Sequence, residues 1–175
     1  MGRVRGQPSS WVVRFAPLIA KGGTVLDVAC GAGRHTAWLL DQGCRVTAID
    51  RDVSGLSDLR EHDRLAVFEF DLEGPLALPL PKMAFDAVVV TNYLHRPLLP
   101  TLVSLVARGG LFVYETFAVG NARFGGPSNA DFLLRPGELL DSVRPALRVV
   151  AYEEAEVAEP RPALVQRVAA INDVP

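Results

Sequence analysis

Lysine is almost missing from this chain: of its 18 basic residues, only Lys21 and Lys82 are lysines. The skew towards arginine reads as genomic composition bias, and no basic block is built from it. With a formal net charge of −2, a broad electrostatic grip on nucleic acid is not expected. Cysteine is scarce too. Cys30 and Cys44 form no CxxC and no disulfide framework, which fits a reducing compartment and makes the cytoplasm the expected location. Cys44 reads as a small buried apolar residue. The histidines, His35, His62 and His95, lack metal-ligand spacing, and no Cys/His cluster accompanies them, so no metal is expected. No apolar run is long enough to cross a bilayer. The opening MGRVRGQPSS lacks the apolar core of a signal peptide, and Gly6 stands where a myristoylation signal needs Ser or Thr.

What is present describes one folded domain over residues 1–175. Apolar residues make up 49% and charged residues 22% of the chain, enough to bury a substantial core. Strand and helix signals alternate. Ser9-Ser10 can cap a first helix whose apolar stripe is Trp11, Phe15, Leu18 and Ile19. Strands are expected over 24–29, 45–49, 65–70, 85–90 and 111–116. Helices are expected over 34–42 and 53–60, and in a segment running to 107 that has Pro97 and Pro100 early in it. Residues 72–83 read as a proline-rich loop, Gly109-Gly110 as a turn, and 117–135 as a long loop. A short helix at 137–143 and two strands at 147–152 and 163–171 close the chain. The acidic stretch 141–161 reads as solvated surface.

Alternating elements imply a doubly wound, mostly parallel sheet with right-handed crossovers. The last two strands, joined by a short acidic connection, can only form an antiparallel hairpin. The expected fold is therefore α/β, with a seven-stranded sheet ending in that hairpin.

The most telling segment is 24–35, TVLDVACGAGRH. The run Thr24-Val25-Leu26 leads to Asp27. Ala29, Cys30, Gly31 and Gly33 then make a small-residue turn, and Arg34-His35-Thr36 opens a helix. Such a unit lets a ligand approach backbone N–H groups closely. Asp50 ends the second strand about 20 residues on, where a carboxylate can accept from both ribose hydroxyls. The alternative for Asp50 is a helix cap shared with Asp52. Asp71 ends the third strand, where it can accept from an exocyclic amine; its alternative is a plain turn aspartate.

The pattern D-x-A-x-G-x-G, with Asp50 and Asp71 at these spacings and FDAVVVTNYLH behind them, resembles the class I S-adenosylmethionine-dependent methyltransferases. Within that family, VLDVACGAGRH and NYLHRPLLP look most like small bacterial enzymes of the tellurite-resistance type. The resemblance implies a Rossmann-like methyltransferase fold and S-adenosylmethionine as cofactor. It implies a glycine loop under the methionine part, Asp50 on the ribose and Asp71 on the adenine amine. Asp27, Ala29, Cys30, Gly31, Gly33, Arg34, Arg51, Leu72 and Asn92 complete the expected cofactor set. Ala29 departs from the family, which has glycine there. The rival reading is a dinucleotide-binding dehydrogenase. It needs G-x-G-x-x-G/A, and Thr36 occupies the third position.

Methyl transfer is an in-line displacement in which the protein supplies position and electrostatics. Tyr93 and His95 are the catalytic candidates, with Asn92 beside them; a histidine can take a proton near neutral pH. The alternative for His95 is a helix-start residue bonded to nearby backbone. Arg34 can pair with a methionine carboxylate or, alternatively, with a surface acid such as Asp41. Glu115 either orients substrate or anchors the following loop. The loop 117–135 is the expected substrate cover, with Phe117, Phe124 and Phe132 as an apolar lid; alternatively Phe132, Leu133 and Leu134 pin it to the core. A minimal core with a mildly acidic balance points to a small-molecule acceptor. The alternatives are a tRNA or protein acceptor docked with a partner subunit, and a cofactor-binding protein without transferase activity.

Overall fold

Period-two burial along the strands creates two apolar faces, and helices cover both. The structure, a computed structural model, describes residues 5–75, 77–80 and 83–173. Its strands are β1 (Thr24–Val28), β2 (Arg45–Asp50), β3 (Leu65–Glu69), β4 (Phe85–Thr91), β5 (Val106–Phe117), β6 (Arg148–Val157) and β7 (Ala163–Ile171). The helices are α1 (Ser10–Phe15), α2 (Arg34–Asp41), α3 (Leu99–Ser104) and α4 (Glu138–Val143). Leu26, Val28, Val88, Val90, Phe112 and Tyr114 point to one face, where Leu102 of α3 and Leu139 and Val143 of α4 meet them. Val25, Ala87, Val89, Leu111 and Val113 point to the other and pack on Trp11, Phe15 and Leu39 from α1 and α2. β4 is covered on both sides, as its continuous apolar run requires.

The sheet order is β3-β2-β1-β4-β5-β7-β6. β1 to β5 are mutually parallel, and β7 runs antiparallel between β5 and β6. This is the expected doubly wound sheet with its closing hairpin. The chain builds outward through β1, β2 and β3, then returns to lay β4 on the other side of β1. That reversal opens a crevice at the carboxyl ends of β1 and β4, where open α/β sheets bind ligands.

Several elements differ from the sequence reading. Pro17 lacks the N–H that would continue α1, so the helix ends at Phe15 in a single 3₁₀ turn and leaves Leu18 49% exposed rather than in the core. The helix expected at 53–60 is one 3₁₀ turn, Ser54–Leu56. There the Asp52 carboxylate accepts from the Ser54 N–H, a local bond that competes with helix. Gly109-Gly110 is no turn between elements. It lies in a bulge of β5, where the register to β4 jumps from Phe85↔Val106 to Ala87↔Leu111. The loop 117–135 holds two 3₁₀ turns and an Ala118↔Leu134 bridge. In the proline-rich loop, residues 76, 81 and 82 lie outside the described residues. No helix among the described residues is long and apolar enough to cross a membrane.

Candidate functional site

The turn after β1 is built from left-handed backbone. Ala29 has φ 52°, Gly31 54° and Gly33 77°. An alanine at such a φ costs about 1 kcal/mol, and it stands where the resembling family has glycine. Gly33 is needed for another reason: a Cβ there would lie 2.1 Å from Leu56 Cδ2. Gly55 matches it from below, since its Cβ would lie 2.7 Å from the Ala32 Cα. The loop is therefore seated on the 54–56 turn. Arg5 fastens the assembly by donating to the carbonyls of Ala32 and Gly55 and pairing with Asp58.

Asp50 closes the loop from the side. One carboxylate oxygen accepts from the Gly31 N–H at 2.8 Å, the other from the Asp52 N–H at 3.0 Å. The bond to Asp52 is a local turn and not a helix cap, since Val53 stands at the N-cap of the 54–56 turn, and both oxygens keep a free lone pair. Asp71 accepts from the Glu73 N–H at 3.0 Å in a turn of its own. Both carboxylates open into one chamber of about 370 Å³. Ala29, Arg51, Leu72 and Asn92 line it too, so these six expected cofactor residues converge.

The other expected residues lie elsewhere. Asp27 is buried beneath the turn and accepts the Thr36 hydroxyl at 2.6 Å, bracing α2. Burial pushes its carboxyl up to about 6 against the pull of the Thr36 hydrogen bonds and the Arg34 charge. Cys30 is buried, and burial first, then Asp27 and Asp50, raise its thiol, so it is an inert packing residue. Gly31 and Gly33 shape the turn without lining the chamber. Arg34 does not reach Asp41. It extends towards the Gln7 carbonyl (3.4 Å) and the Thr91 hydroxyl (3.5 Å). His95 lines none of the three chambers described here, so the structure does not bring it to the site. It precedes a 3₁₀ turn, where its carbonyl accepts from the Leu98 N–H.

Asn92 and Tyr93 are central. Asn92 follows β4 with φ 55°, donates its N–H to the Glu115 carbonyl at 2.9 Å, and lines all three chambers. Tyr93 separates the first chamber from a second of about 310 Å³, walled by Thr116, Phe117, Pro127 and Phe132. Its hydroxyl is buried and has no hydrogen-bond partner among the described residues. Burial, then Glu73, Asp71 and Asp50, raise its pKa, so the hydroxyl is a donor and not a base. Phe132 is 47% exposed and lines both chambers, so it does not pin the loop. Leu133 and Leu134 do, being buried. Phe124 is absent from the three linings and packs under the Arg123 guanidinium.

Sequence reasoning missed the third chamber, of about 290 Å³ on the far side of Asn92. Arg34, Glu115 and Phe117 meet there the segment Gln7–Ser10 and the tip of the β6–β7 hairpin. His35 is buried under that segment. Its Nε2 accepts from the Ser9 N–H at 3.0 Å, and burial together with Arg34 lowers its pKa to about 3. Ser9 donates its hydroxyl to Glu115 at 2.8 Å, and Arg167 holds the other Glu115 oxygen at 3.2 Å. No local pattern signals these long-range partners. Glu73, which lines the first two chambers, was findable, because it lies in the turn that Asp71 begins. Among the described residues, no group of three or more His, Cys, Asp or Glu side chains could hold a metal ion.

Acid-tipped β2 and β3 beside a small-residue turn, on a sheet of this order, define a nucleoside-binding methyltransferase domain. The methyltransferase-domain family profile matches residues 25–110, just under half of the chain, and the sheet order is that of the Rossmann-like methyltransferase fold. Among solved structures, the fold is similar to TehB from Haemophilus influenzae, with TM-score 0.71 and 19% identity over 92% of this chain and 61% of that one. It is also similar to the 1,6-didemethyltoxoflavin-N1-methyltransferase of Burkholderia thailandensis, with TM-score 0.68 and 21% identity, covering 94% and 75% of the two chains. A short stretch of 52 residues is 46% identical to ribosomal RNA small subunit methyltransferase H of Gemmatimonas aurantiaca. That stretch is 30% of this chain and 16% of that protein.

Proposed function

We propose that this chain, as a single methyltransferase domain, transfers the methyl group of S-adenosylmethionine to a small-molecule acceptor. The observation that carries the reading is the convergence of Asp50 and Asp71, from neighbouring strands, on one chamber floored by the Ala29 turn. A nucleoside needs this set of groups: acceptors for ribose hydroxyls, an acceptor for an amine, and an apolar wall, here Leu72 and Phe132. In this reading Asp50 holds the ribose and Asp71 the adenine amine. Arg34, not paired with any carboxylate among the described residues, takes the methionine carboxylate.

When bound, the cofactor supplies an electrophilic methyl group on a sulfonium. The chain's residues do the rest by placement. Asn92, fixed by its bond to the Glu115 carbonyl, stands where the three chambers meet and orients the reacting groups. The Tyr93 hydroxyl, short of a partner, donates to an acceptor oxygen or nitrogen from the chamber wall. Phe132 and Phe117 keep water from the second chamber. No protein base is required if the nucleophile arrives deprotonated. Small-molecule acceptors fit chambers of this size, about 290 to 370 Å³, and the Burkholderia thailandensis neighbour was crystallised with 1,6-didemethyltoxoflavin and S-adenosylhomocysteine. The test is titration with S-adenosylmethionine and S-adenosylhomocysteine, followed by a labelled-methyl screen against small molecules. Saturable binding with transfer supports the reading. Binding without transfer to any small molecule rejects the acceptor class, and absence of binding rejects the whole.

A further inference from the structure

The third chamber has a charge pattern that the cofactor reading leaves unused. Three arginines line it: Arg34, Arg161 and Arg167. Arg167 is fully engaged, by Glu115 at 3.2 Å and Glu153 at 2.7 Å. Arg34 is hydrogen-bonded to the Gln7 carbonyl and the Thr91 hydroxyl and, in the proposed function, takes the cofactor's carboxylate. Arg161 is different. It projects from the hairpin tip, lies over the Phe117 ring at 5.5 Å, and has only the Gly126 carbonyl, at 3.4 Å, as a hydrogen-bond acceptor. Among the described residues it has no carboxylate partner. Stacking on an aromatic face leaves a guanidinium edge free for a planar anion, which it can grip with two parallel N–H donors.

Phe117, Val157, Pro160, Ala163 and Val165 give the chamber its apolar wall, and Gln7, Ser9, Ser10 and Asn92 are its neutral polar residues. Its acids are Glu115, already held by Ser9 and Arg167, and the exposed Glu159. The chamber therefore offers an apolar bed of about 290 Å³ with one available cation at its mouth, and it joins the cofactor chamber through Asn92.

We propose that the methyl acceptor is a small organic anion, an apolar or aromatic body carrying a carboxylate, and that Arg161 is the residue that selects it. The acceptor lies on Phe117 and Val165 with its carboxylate on Arg161, its reactive end pointing to Asn92. This rests on the methyltransferase reading, which makes the bound anion the acceptor and commits Arg34, the other arginine of the chamber without a carboxylate partner, to the cofactor.

The test uses full-length protein saturated with S-adenosylhomocysteine, and benzoate as probe, with benzamide as its neutral counterpart and sulfate as a bare anion. Benzoate is expected to bind about tenfold more tightly than benzamide, the weight of a charge-assisted bidentate contact. Arg161→Gln should remove that preference without changing affinity for S-adenosylhomocysteine. Glu159→Gln should strengthen benzoate binding about threefold, by removing a like charge at the rim. Equal binding of benzoate and benzamide, binding of neither, or a preference that survives Arg161→Gln overturns the proposal. Sulfate binding as tightly as benzoate overturns the organic part of it. If benzoate behaves as expected but S-adenosylhomocysteine does not bind, the anion site stands and the methyltransferase reading falls.

Discussion

Asp50 joins a structural bond to a proposed binding role. Its carboxylate ties the glycine turn to β2 through the Gly31 N–H and, in the proposed function, offers its remaining lone pairs to the ribose. Asp50→Ala is expected to weaken S-adenosylmethionine binding by about 2–4 kcal/mol, the range for two charge-assisted hydrogen bonds. Isothermal titration reads this directly, and unchanged affinity would remove Asp50 from the ribose. Asp71→Asn should cost less, because the amide oxygen can still accept from the adenine amine and only the charge is lost. A larger loss for Asp71→Asn than for Asp50→Ala would reverse the assignment of the two acids.

At the scale of elements, the seat of the glycine turn and the loop after β5 make separate predictions. Gly55 packs its Cα against the turn, and a methyl there would meet the Ala32 backbone at 2.7 Å. Gly55→Ala is expected to destabilise the fold by about 1–3 kcal/mol through overpacking and to weaken cofactor binding by moving the turn. Gly6→Ala, with nothing within 4 Å of its Cβ, is the control. Urea midpoints that agree for the two variants would show that the turn has room. In the β5 loop, Asn121 is buried and bonded to the Leu164 N–H and the Pro127 carbonyl, so the loop is anchored at its start. Residues 122–132 are mostly exposed, and amide exchange is expected to slow there when cofactor and acceptor bind. Phe132→Ala, at the chamber wall, should lower turnover more than Phe124→Ala, which faces Arg123. Equal effects from the two phenylalanines would deny the loop its part in the site.

For the molecule as a whole, two buried groups oppose each other as pH falls. His35 has a folded pKa of about 3 against 6.5 unfolded. The unfolded chain therefore binds the extra proton first, and this group costs stability as pH drops below 6.5. Asp27 has a folded pKa of about 6 against 3.8 unfolded. Here the folded chain binds the proton first, and stability is gained as pH drops from above 6 towards 3.8. Between pH 6.5 and 4.5 the two slopes nearly cancel, so wild-type stability should stay almost flat. His35→Gln keeps an acceptor for the Ser9 N–H and removes the titration. Its stability should rise by about 2 kcal/mol over the same window, measured by urea unfolding at each end. A flat profile for the variant would show that Asp27 is not protonated there.

The strand order, the doubly wound sheet and the cleft at the carboxyl ends of β1 to β4 were legible in the sequence, and the helices were too, except at 53–60. They rest on local signals: period-two burial, continuous apolar runs such as 85–90, and turn residues such as Gly31 and Gly33. Asp50 and Asp71 were legible for the same reason, because a residue that ends a parallel strand has its position set by the strand. Only the tertiary structure decided which expected residues face the chamber. Asp27 is buried in β1, where it accepts the Thr36 hydroxyl of α2, and His95 lines none of the chambers; both outcomes depend on how α2 and the segment after the left-handed Asn92 pack, which a run of letters does not record. The third chamber is further still from the sequence. It joins Gln7, Arg34, Glu115 and Arg161, residues brought together by the insertion of β7 between β5 and β6 and by the N-terminal segment lying over α2. Contacts between such distant points depend on how whole elements pack, and no local pattern specifies them.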